Sequence, residues 1–296
     1  MEAATPRVSV IIPTHNRGIL VCDNIDTLLA QDYPDYEIIY VNDGSTDETG
    51  EILSTYSAYA PNRFRAVYQE NAGPGPARNR GATEATGTLF LFTDDDVLVP
   101  ENWIRGMVAA YLRKEKQPVA GAVLSYSSAT PVERYLHLRN EISTPSPGEA
   151  LRAAPMMSFL IDRATFEEVG GFLDVSLQAA EDWEFCLRLR ARDVSIAYDD
   201  SVPVTHRYQS NIEAAKRRMR ATGALGLFIQ QKLGGAIFPY VGYSLLRFLV
   251  APVWVLRHFP GDLFWMALHM EWIFIVARMQ AYQRYLRGVP IPPRGY

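Results

Sequence analysis

Four short apolar runs, each closed by turn-forming residues and separated by segments of helical length, constrain this chain more than any other feature. Val8 to Ile12 ends at Pro13, Glu37 to Val41 at Asn42-Asp43-Gly44, Phe64 to Tyr68 at Asn71 and Gly73, and Leu89 to Phe92 at Asp94-Asp95-Asp96. Runs of four or five largely apolar residues bounded in this way read as buried strands. Between them, Ile19 to Ala30, Asp47 to Tyr59, Gly75 to Ala85 and Glu101 to Lys114 are long enough for helices. Ser45 and Glu48 have the spacing of a capping box, and Pro100 suits a first helical turn. Strands alternating with helices predict an α/β fold with a mostly parallel sheet covered on both faces. Right-handed crossovers would gather Pro13, Asp43 and Asp94 on one sheet edge.

Further along, Val119 to Tyr126 reads as another strand and Thr144-Pro145-Ser146-Pro147-Gly148 as a loop. Met156 to Ile161, the Gly170-Gly171 turn, a helix from about Ala180 to Arg192 and two short strands, Ser195 to Tyr198 and Val202 to His206, complete a catalytic domain expected over residues 1–208. A second, helical region is expected over 209–296. Its charge differs sharply: residues 1–205 hold 17 Lys+Arg and 30 Asp+Glu, a net of −13, whereas 206–296 hold 12 and 3, a net of +9. The basic, aromatic region predicts an anionic membrane surface as partner and disfavours nucleic acid. Ile237 to Leu256 is long enough to span a bilayer, but Pro239, Gly242, Arg247 and Pro252 interrupt its apolar run, and Leu263 to Ala277 is short. Trp254, Trp265 and Trp272 beside Arg257, Arg278, Arg284 and Arg287 favour helices lying in the interface; the other readings are a packed helical subdomain or a homodimer face.

Two cysteines, Cys22 and Cys186, lack partners at ligand spacing and read as reduced core thiols. The first ten residues do not read as a secretory signal, so a cytoplasmic chain, peripheral on the inner face of the cell membrane, is expected.

The chemistry-bearing residues start with the three aspartates. Carboxylates that close together repel one another unless water or a cation offsets the charge. A strand ending in such a cluster places it where open α/β folds bind ligands. No Gly-x-Gly-x-x-Gly turn and no Gly-Lys-Ser/Thr loop is present, which disfavours dinucleotide and P-loop chemistry. A metal held by Asp96, with or without Asp94, would instead neutralise a departing diphosphate. Asp43 suits a base or ribose, or else an Asx turn through Gly44. Arg78 is a candidate partner for Asp94 or the base. Asp182 could take a proton from an acceptor hydroxyl with Glu181 orienting acceptor or metal, although both also suit plain helix capping. His206 could lend an imidazole to the metal.

Together, Val10 through Asn16, Val41 through Asp47, Asn71 through Asn79 with Gly81, Thr93-Asp94-Asp95-Asp96, Gly170-Gly171-Phe172 and Glu181-Asp182-Trp183 closely resemble the family 2 glycosyltransferases of GT-A fold, over residues 7 to about 206. The resemblance implies a nucleotide-diphosphate sugar donor, Mg²⁺ or Mn²⁺, and single displacement with inversion. It implies Pro13, Thr14 and Asn16 at the base, Asp43 at base or ribose, Arg78 beside Asp94, and Asp94 and Asp95 on the nucleotide side. Asp96 and His206 would hold metal, and Asp182 would be the general base. A UDP-sugar donor and a glycan or lipid-linked hydroxyl acceptor are expected. Pro74, Pro76 and the Ala154 to Ser158 run depart from the commoner patterns. The rivals are a polyprenyl-phosphate sugar synthase, whose anionic acceptor needs no base, a sugar-phosphate nucleotidyltransferase, and a binding module without catalysis.

Overall fold

A computed structural model describes residues 5–143, 151, 153–173, 180–208, 210–232 and 237–289. The expected loop Thr144 to Gly148 lies outside the described residues. The chain divides into two compact units, one made of residues 1–126, 144–175 and 181–207 and the other of 127–143, 176–180 and 208–296.

The first unit is an eight-stranded mixed sheet. Its strands are β1 (Val8–Thr14), β2 (Tyr36–Asp43), β3 (Phe64–Gln69), β4 (Leu89–Phe92), β5 (Val97–Leu98), β6 (Val119–Ser125), β7 (Phe159–Asp162) and β8 (Ala197–His206). They lie in the order β3-β2-β1-β4-β7-β6-β8-β5. The helices are α1 (Leu20–Leu29), α2 (Thr49–Tyr59), α3 (Pro74–Glu84), α4 (Trp103–Arg113), α6 (Arg163–Val169) and α7 (Glu181–Arg190), with α5 (Pro131–Ser143) in the second unit.

Period-2 alternation along the strands explains the layering. Val8, Val10 and Ile12 of β1, Ile38 and Tyr40 of β2 and Leu91 of β4 join Ile25 and Leu28 of α1, Leu53 of α2 and Trp103 and Met107 of α4 in one core. Ile11, Ile39, Val41, Phe90 and Phe92 point the other way and join Ala77 of α3, Phe166 of α6 and Phe185 and Leu189 of α7. A sheet buried on both faces needs uninterrupted apolar runs, which is how these strands read in sequence.

The sheet is mostly parallel, as expected, while several finer expectations are corrected. β3, β2, β1 and β4 form a continuous parallel half and β6 pairs parallel with β8, whereas β7 runs antiparallel to both β4 and β6, and β5 antiparallel to β8. Helical crossovers impose direction on the first half, while β7 follows a connection that local pattern cannot orient. The two strands expected near 195–206 are one strand, β8, whose register against β6 jumps from Gly121↔Asp199 to Val123↔Val204. The polar stretch that reads as a break is therefore a bulge. The Ser45/Glu48 capping box does not form: Glu48 is the N-cap residue without a side-chain cap bond, and Ser45 Oγ accepts instead from Asn16 N at 2.9 Å. Pro100 precedes α4 and accepts from Trp103 N at 3.0 Å through its carbonyl.

The second unit packs α5 with α8 (Ile212–Lys232), α9 (Ile237–His258) and α10 (Phe264–Leu286). It takes in residues 127–143, which the expected boundary at 208 assigned to the catalytic domain, because Val132, Tyr135 and Leu136 share a core with Met219, Val255, Leu268 and Phe274. The apolar segment read as short, Leu263 to Ala277, lies in a helix that starts at Phe264 and runs to Leu286, where Ala281 packs with Ala224 and Leu227 of α8. α9 runs through both prolines; Pro239 falls in the first turn, where its missing N–H costs nothing. Among the described residues, no helix is long and apolar enough to cross a membrane.

Candidate active site

The parallel half of the sheet sends the carboxyl ends of β1, β2 and β4 to one edge, with Thr14 opposite Asn42 and Ile11 opposite Phe92. The aspartate turn follows β4 directly. It is held from beneath by Asn24, whose Nδ2 donates to the carbonyls of Asp94 and Val97, and whose Oδ1 accepts from the buried Tyr40 hydroxyl at 2.5 Å. Thr93 donates its hydroxyl to the Met157 carbonyl at 2.8 Å.

Each aspartate then meets a different partner. Arg78, on α3 and 3% exposed, donates to Asp94 Oδ1 at 2.7 Å and to Glu181 Oε1 at 2.9 Å. One buried guanidinium thus joins the strand-end cluster to the first turn of α7, 103 positions away from itself in sequence. Asp95 is buried beneath Arg17, with Nε to Oδ1 at 3.0 Å. Burial, opposed by Arg17 and reinforced by Asp96, pushes the Asp95 carboxyl up to about 7. Asp96 is approached from two sides: Arg17 Nη2 lies 3.0 Å from Oδ2, and His206 Nε2 lies 3.1 Å from Oδ1. The antiparallel pairing of β5 with β8, which sets Val97 opposite His206, brings that imidazole to the cluster.

Asp43, at the end of β2, accepts from Gln69 Nε2 at 2.7 Å and Ala72 N at 2.8 Å on one oxygen and from Gly73 N at 2.8 Å on the other. Those bonds fix the loop ahead of α3, and a carboxylate with about four lone-pair directions keeps one for a ligand. In the turn considered for Asp43 it is the neighbouring Asn42 whose Oδ1 accepts, from Ser45 N three residues on, at 2.8 Å. Pro13 is half-buried and Thr14 buried at the end of β1, while Asn16 is exposed with φ of 52° and accepts from Thr46 N at 2.8 Å. His15 Nδ1 contacts the Asp43 carbonyl at 2.8 Å and Asn71 Nδ2 at 3.0 Å, so the β1 and β2 ends and the loop after β3 form one hydrogen-bonded rim.

Asp182 sits in the first turn of α7, where its Oδ1 accepts from Trp183 N at 2.7 Å. Its neighbour Glu181 accepts from Arg78 Nη1 on Oε1 at 2.9 Å. Arg17 is the residue sequence reasoning missed. Its only local signal is a cation following Asn16 in a chain whose other strand end carries three acids. Gln69 was missed for the same reason, and Asn71 entered only as part of a turn and a motif, without a role, because its partners His15 and Asp43 are far away in sequence.

For the metal that the resemblance implies, the donor set is a carboxylate oxygen and an imidazole nitrogen converging within 3.1 Å, Asp96 with His206. Among the described residues, no group of three or more His, Cys, Asp or Glu is arranged to hold an ion. Two protein donors fit an Mg²⁺- or Mn²⁺-like ion that completes its shell with phosphate oxygens and water.

A mixed α/β sheet with an acidic cluster at the carboxyl edge of its parallel half defines a GT-A type nucleotide-sugar fold. The model of glycosyl transferase family 2 matches residues 9–171, more than half of the chain, and the chain belongs to that family. It is 32% identical over 191 residues to the uncharacterized glycosyltransferase EpsJ of Bacillus subtilis, a match covering 62% of this chain and 55% of that protein. The chain spans about half the length of the curated relatives it matches. The solved mannosyltransferase PcManGT of Pyrobaculum calidifontis, in complex with GDP-Man and Mn²⁺, superposes with a TM-score of 0.57 at 21% identity, covering 98% of this chain and 78% of the other. TarS 1–349 of S. aureus, in complex with UDP-GlcNAc, superposes with a TM-score of 0.55 at 16% identity, covering 96% and 92%. At these identities the two structures establish the fold alone.

Proposed function

We propose that this protein transfers a sugar from a nucleoside-diphosphate donor to an acceptor hydroxyl with inversion at the anomeric carbon. The observation that carries the reading is Arg78, which ties Asp94 at the end of β4 to Glu181 beside Asp182. A donor side and an acceptor side are thereby held in one frame, as single displacement requires.

In this reading the rim of Pro13, Thr14, Asn16 and Asp43 receives the nucleoside, and the acidic turn receives the diphosphate end. Asp96 and His206 would hold a divalent ion, which would neutralise charge on the leaving diphosphate. Asp182 accepts the proton of the acceptor hydroxyl as its oxygen bonds to the anomeric carbon and the bond to the diphosphate breaks. Arg78 holds Glu181, and with it the start of α7, so that Asp182 stays aimed at the acceptor. A carboxylate at this position favours a hydroxyl acceptor over a phosphate acceptor, which would need no base. PcManGT binds GDP-Man and TarS binds UDP-GlcNAc, so the shared fold leaves both bases open; a UDP-sugar is the first donor to test. Asp182→Asn should lower kcat by roughly 10³-fold while nucleotide-sugar binding, read by calorimetry, stays within about twofold. Retained turnover would overturn the base assignment.

The second unit is read as a docking surface for an anionic bilayer, with a glycan or lipid-linked acceptor presented there. Leu246, Leu249, Val250, Val253 and Leu256 are all exposed, Leu249 at 75%, and at 100° per residue they fall on one arc of α9 together with exposed Arg257. Exposed Arg217, Arg218, Arg284 and Arg287 on α8 and near the end of α10, within a region of net +9, complement acidic headgroups. Leu249→Glu with Val253→Glu should cut cosedimentation with phosphatidylglycerol vesicles at least tenfold. Unchanged vesicle binding, or a loss of self-association instead, would assign the stripe elsewhere.

A further inference from the structure

We propose that Arg17 is a resident cation of the aspartate cluster, competing with the divalent ion for Asp95 and Asp96 and so coupling capture of the ion to arrival of the donor diphosphate. This rests on the reading of Asp96 and His206 as the ion's protein donors.

The competition follows from which atoms are already engaged. Arg17 reaches Asp95 Oδ1 and Asp96 Oδ2, both at 3.0 Å, as a fork across two carboxylates. The remaining oxygen of Asp96 meets His206 Nε2. Both oxygens of Asp96 therefore face a nitrogen. The same imidazole nitrogen can serve an ion only after it releases Asp96, because one nitrogen cannot both donate a proton and lend its lone pair. An ion held by both Asp96 and His206 must open the contact between them, and its charge would then stand against the Arg17 guanidinium on the same carboxylate.

The fold builds this position for Arg17. The residues on either side of it, Asn16 and Gly18, both have φ of 52°, the left-handed region. Thr49 Oγ1 accepts from Arg17 N at 3.0 Å and from Gly18 N at 2.8 Å, pinning the loop to the start of α2. A Cβ at Gly18 would meet only the carboxylate end of the flexible Glu48 side chain, so it is the left-handed backbone that selects glycine there. The two arginines of the site are not equivalent. Arg78 is 3% exposed and locked between two acids, whereas Arg17 is 31% exposed and has room to leave.

Displaced from the aspartates by an ion alone, Arg17 would stand beside a second cation with no anion to receive it. With a diphosphate present it gains phosphate oxygens that a planar fork binds well. Ion and diphosphate then bind more tightly together than apart, and Arg17 carries part of that coupling, which must act equally in both directions.

The test is a titration of the nucleotide-free full chain with Mn²⁺, free ion being read by electron paramagnetic resonance, in wild type, Arg17→Gln, Arg17→Lys and Asp96→Asn. Arg17→Gln should bind Mn²⁺ at least tenfold more tightly than wild type. Arg17→Lys, which keeps the charge without the fork and guards against a folding defect of the glutamine variant, should fall between them. Adding UDP or GDP should tighten Mn²⁺ by a larger factor in wild type than in Arg17→Gln. Equal or weaker Mn²⁺ binding in both Arg17 variants, with binding still lost in Asp96→Asn, overturns the role of Arg17 and leaves the ion site standing. Mn²⁺ binding retained in Asp96→Asn overturns both.

Discussion

The two units bury charge in opposite ways. In the first, Asp94, Asp95, Asp96 and Glu181 meet Arg17 and Arg78 at the open carboxyl edge of a sheet, where Asp94 and Arg17 remain about a third exposed. In the second, Glu271 is fully buried among helices, with Arg139 on one oxygen and Arg247 at 2.7 Å on the other. The Phe274 ring lies beneath both guanidiniums, 5.5 Å from Arg139 and 5.4 Å from Arg247. A buried ion network is thus no sign of a reaction centre. What separates the two is access to the acid: Asp94 borders solvent and can exchange partners, while Glu271 is closed in by its own helices, although its arginines are 20% and 23% exposed.

That contrast breaks if the closed network turns out to serve the chemistry. Glu271→Gln should cost about 3 kcal/mol of unfolding free energy, because two guanidiniums lose their common anion. Nucleotide-sugar affinity should stay within twofold. A large loss of donor affinity with unchanged denaturant stability would show that the second cluster also belongs to the site.

A paired glycine substitution sharpens the comparison at intermediate magnitude. A Cβ at Gly223 of α8 would lie 2.3 Å from the Phe274 carbonyl oxygen, and one at Gly81 of α3 would lie 2.5 Å from Ile11 Cγ2. Each alanine variant should lose about 1–3 kcal/mol from overpacking, with Gly223→Ala the worse because its obstacle is backbone. Only Gly81→Ala should also weaken nucleotide-sugar binding, since α3 carries Arg78. Equal effects on donor affinity would mean that α3 does not position the site.

The smallest effect concerns pH and belongs to the first unit. Burial alone would raise the Glu37 carboxyl, but bonds from the Thr86 hydroxyl and backbone and from Ser9, with the Arg65 guanidinium, outweigh it and hold the group below its ordinary 4.5. A carboxyl lowered by folding adds stability above its unfolded value and loses it as pH falls through the folded one. Glu37→Gln should therefore cost about 1 kcal/mol near pH 7 and progressively less below pH 4.5. A gap that stays constant across that range would mean the loss is one of packing, not of charge.

The parallel half of the sheet was legible because each of its strands is encoded by a contiguous apolar run and each crossover by one helical segment. The direction of β7 was not legible, since Phe159 to Asp162 would read the same in either sense. Nor was the bulge in β8, where Asp199-Asp200-Ser201 looks like a turn until β6 lies beside it. The aspartate cluster announced itself through three adjacent acids. The pairing of Arg17 with two of them did not, because nothing near Arg17 in sequence marks which charge it will meet, 78 and 79 positions on.

By itself the sequence determined the alternation of elements, the two-faced sheet, the acidic strand end and the candidate base, because each depends on neighbours within a turn or a strand. Arg78 beside Asp94 was already expected from the sequence; tertiary structure alone decided the other pairings. Arg78 also holds Glu181, Arg17 holds Asp95 and Asp96, and the β5–β8 pairing delivers His206 to the same carboxylate. Ion pairing depends on distance in space and on exclusion of water, and the chain acquires both only when its strand ends meet at one edge.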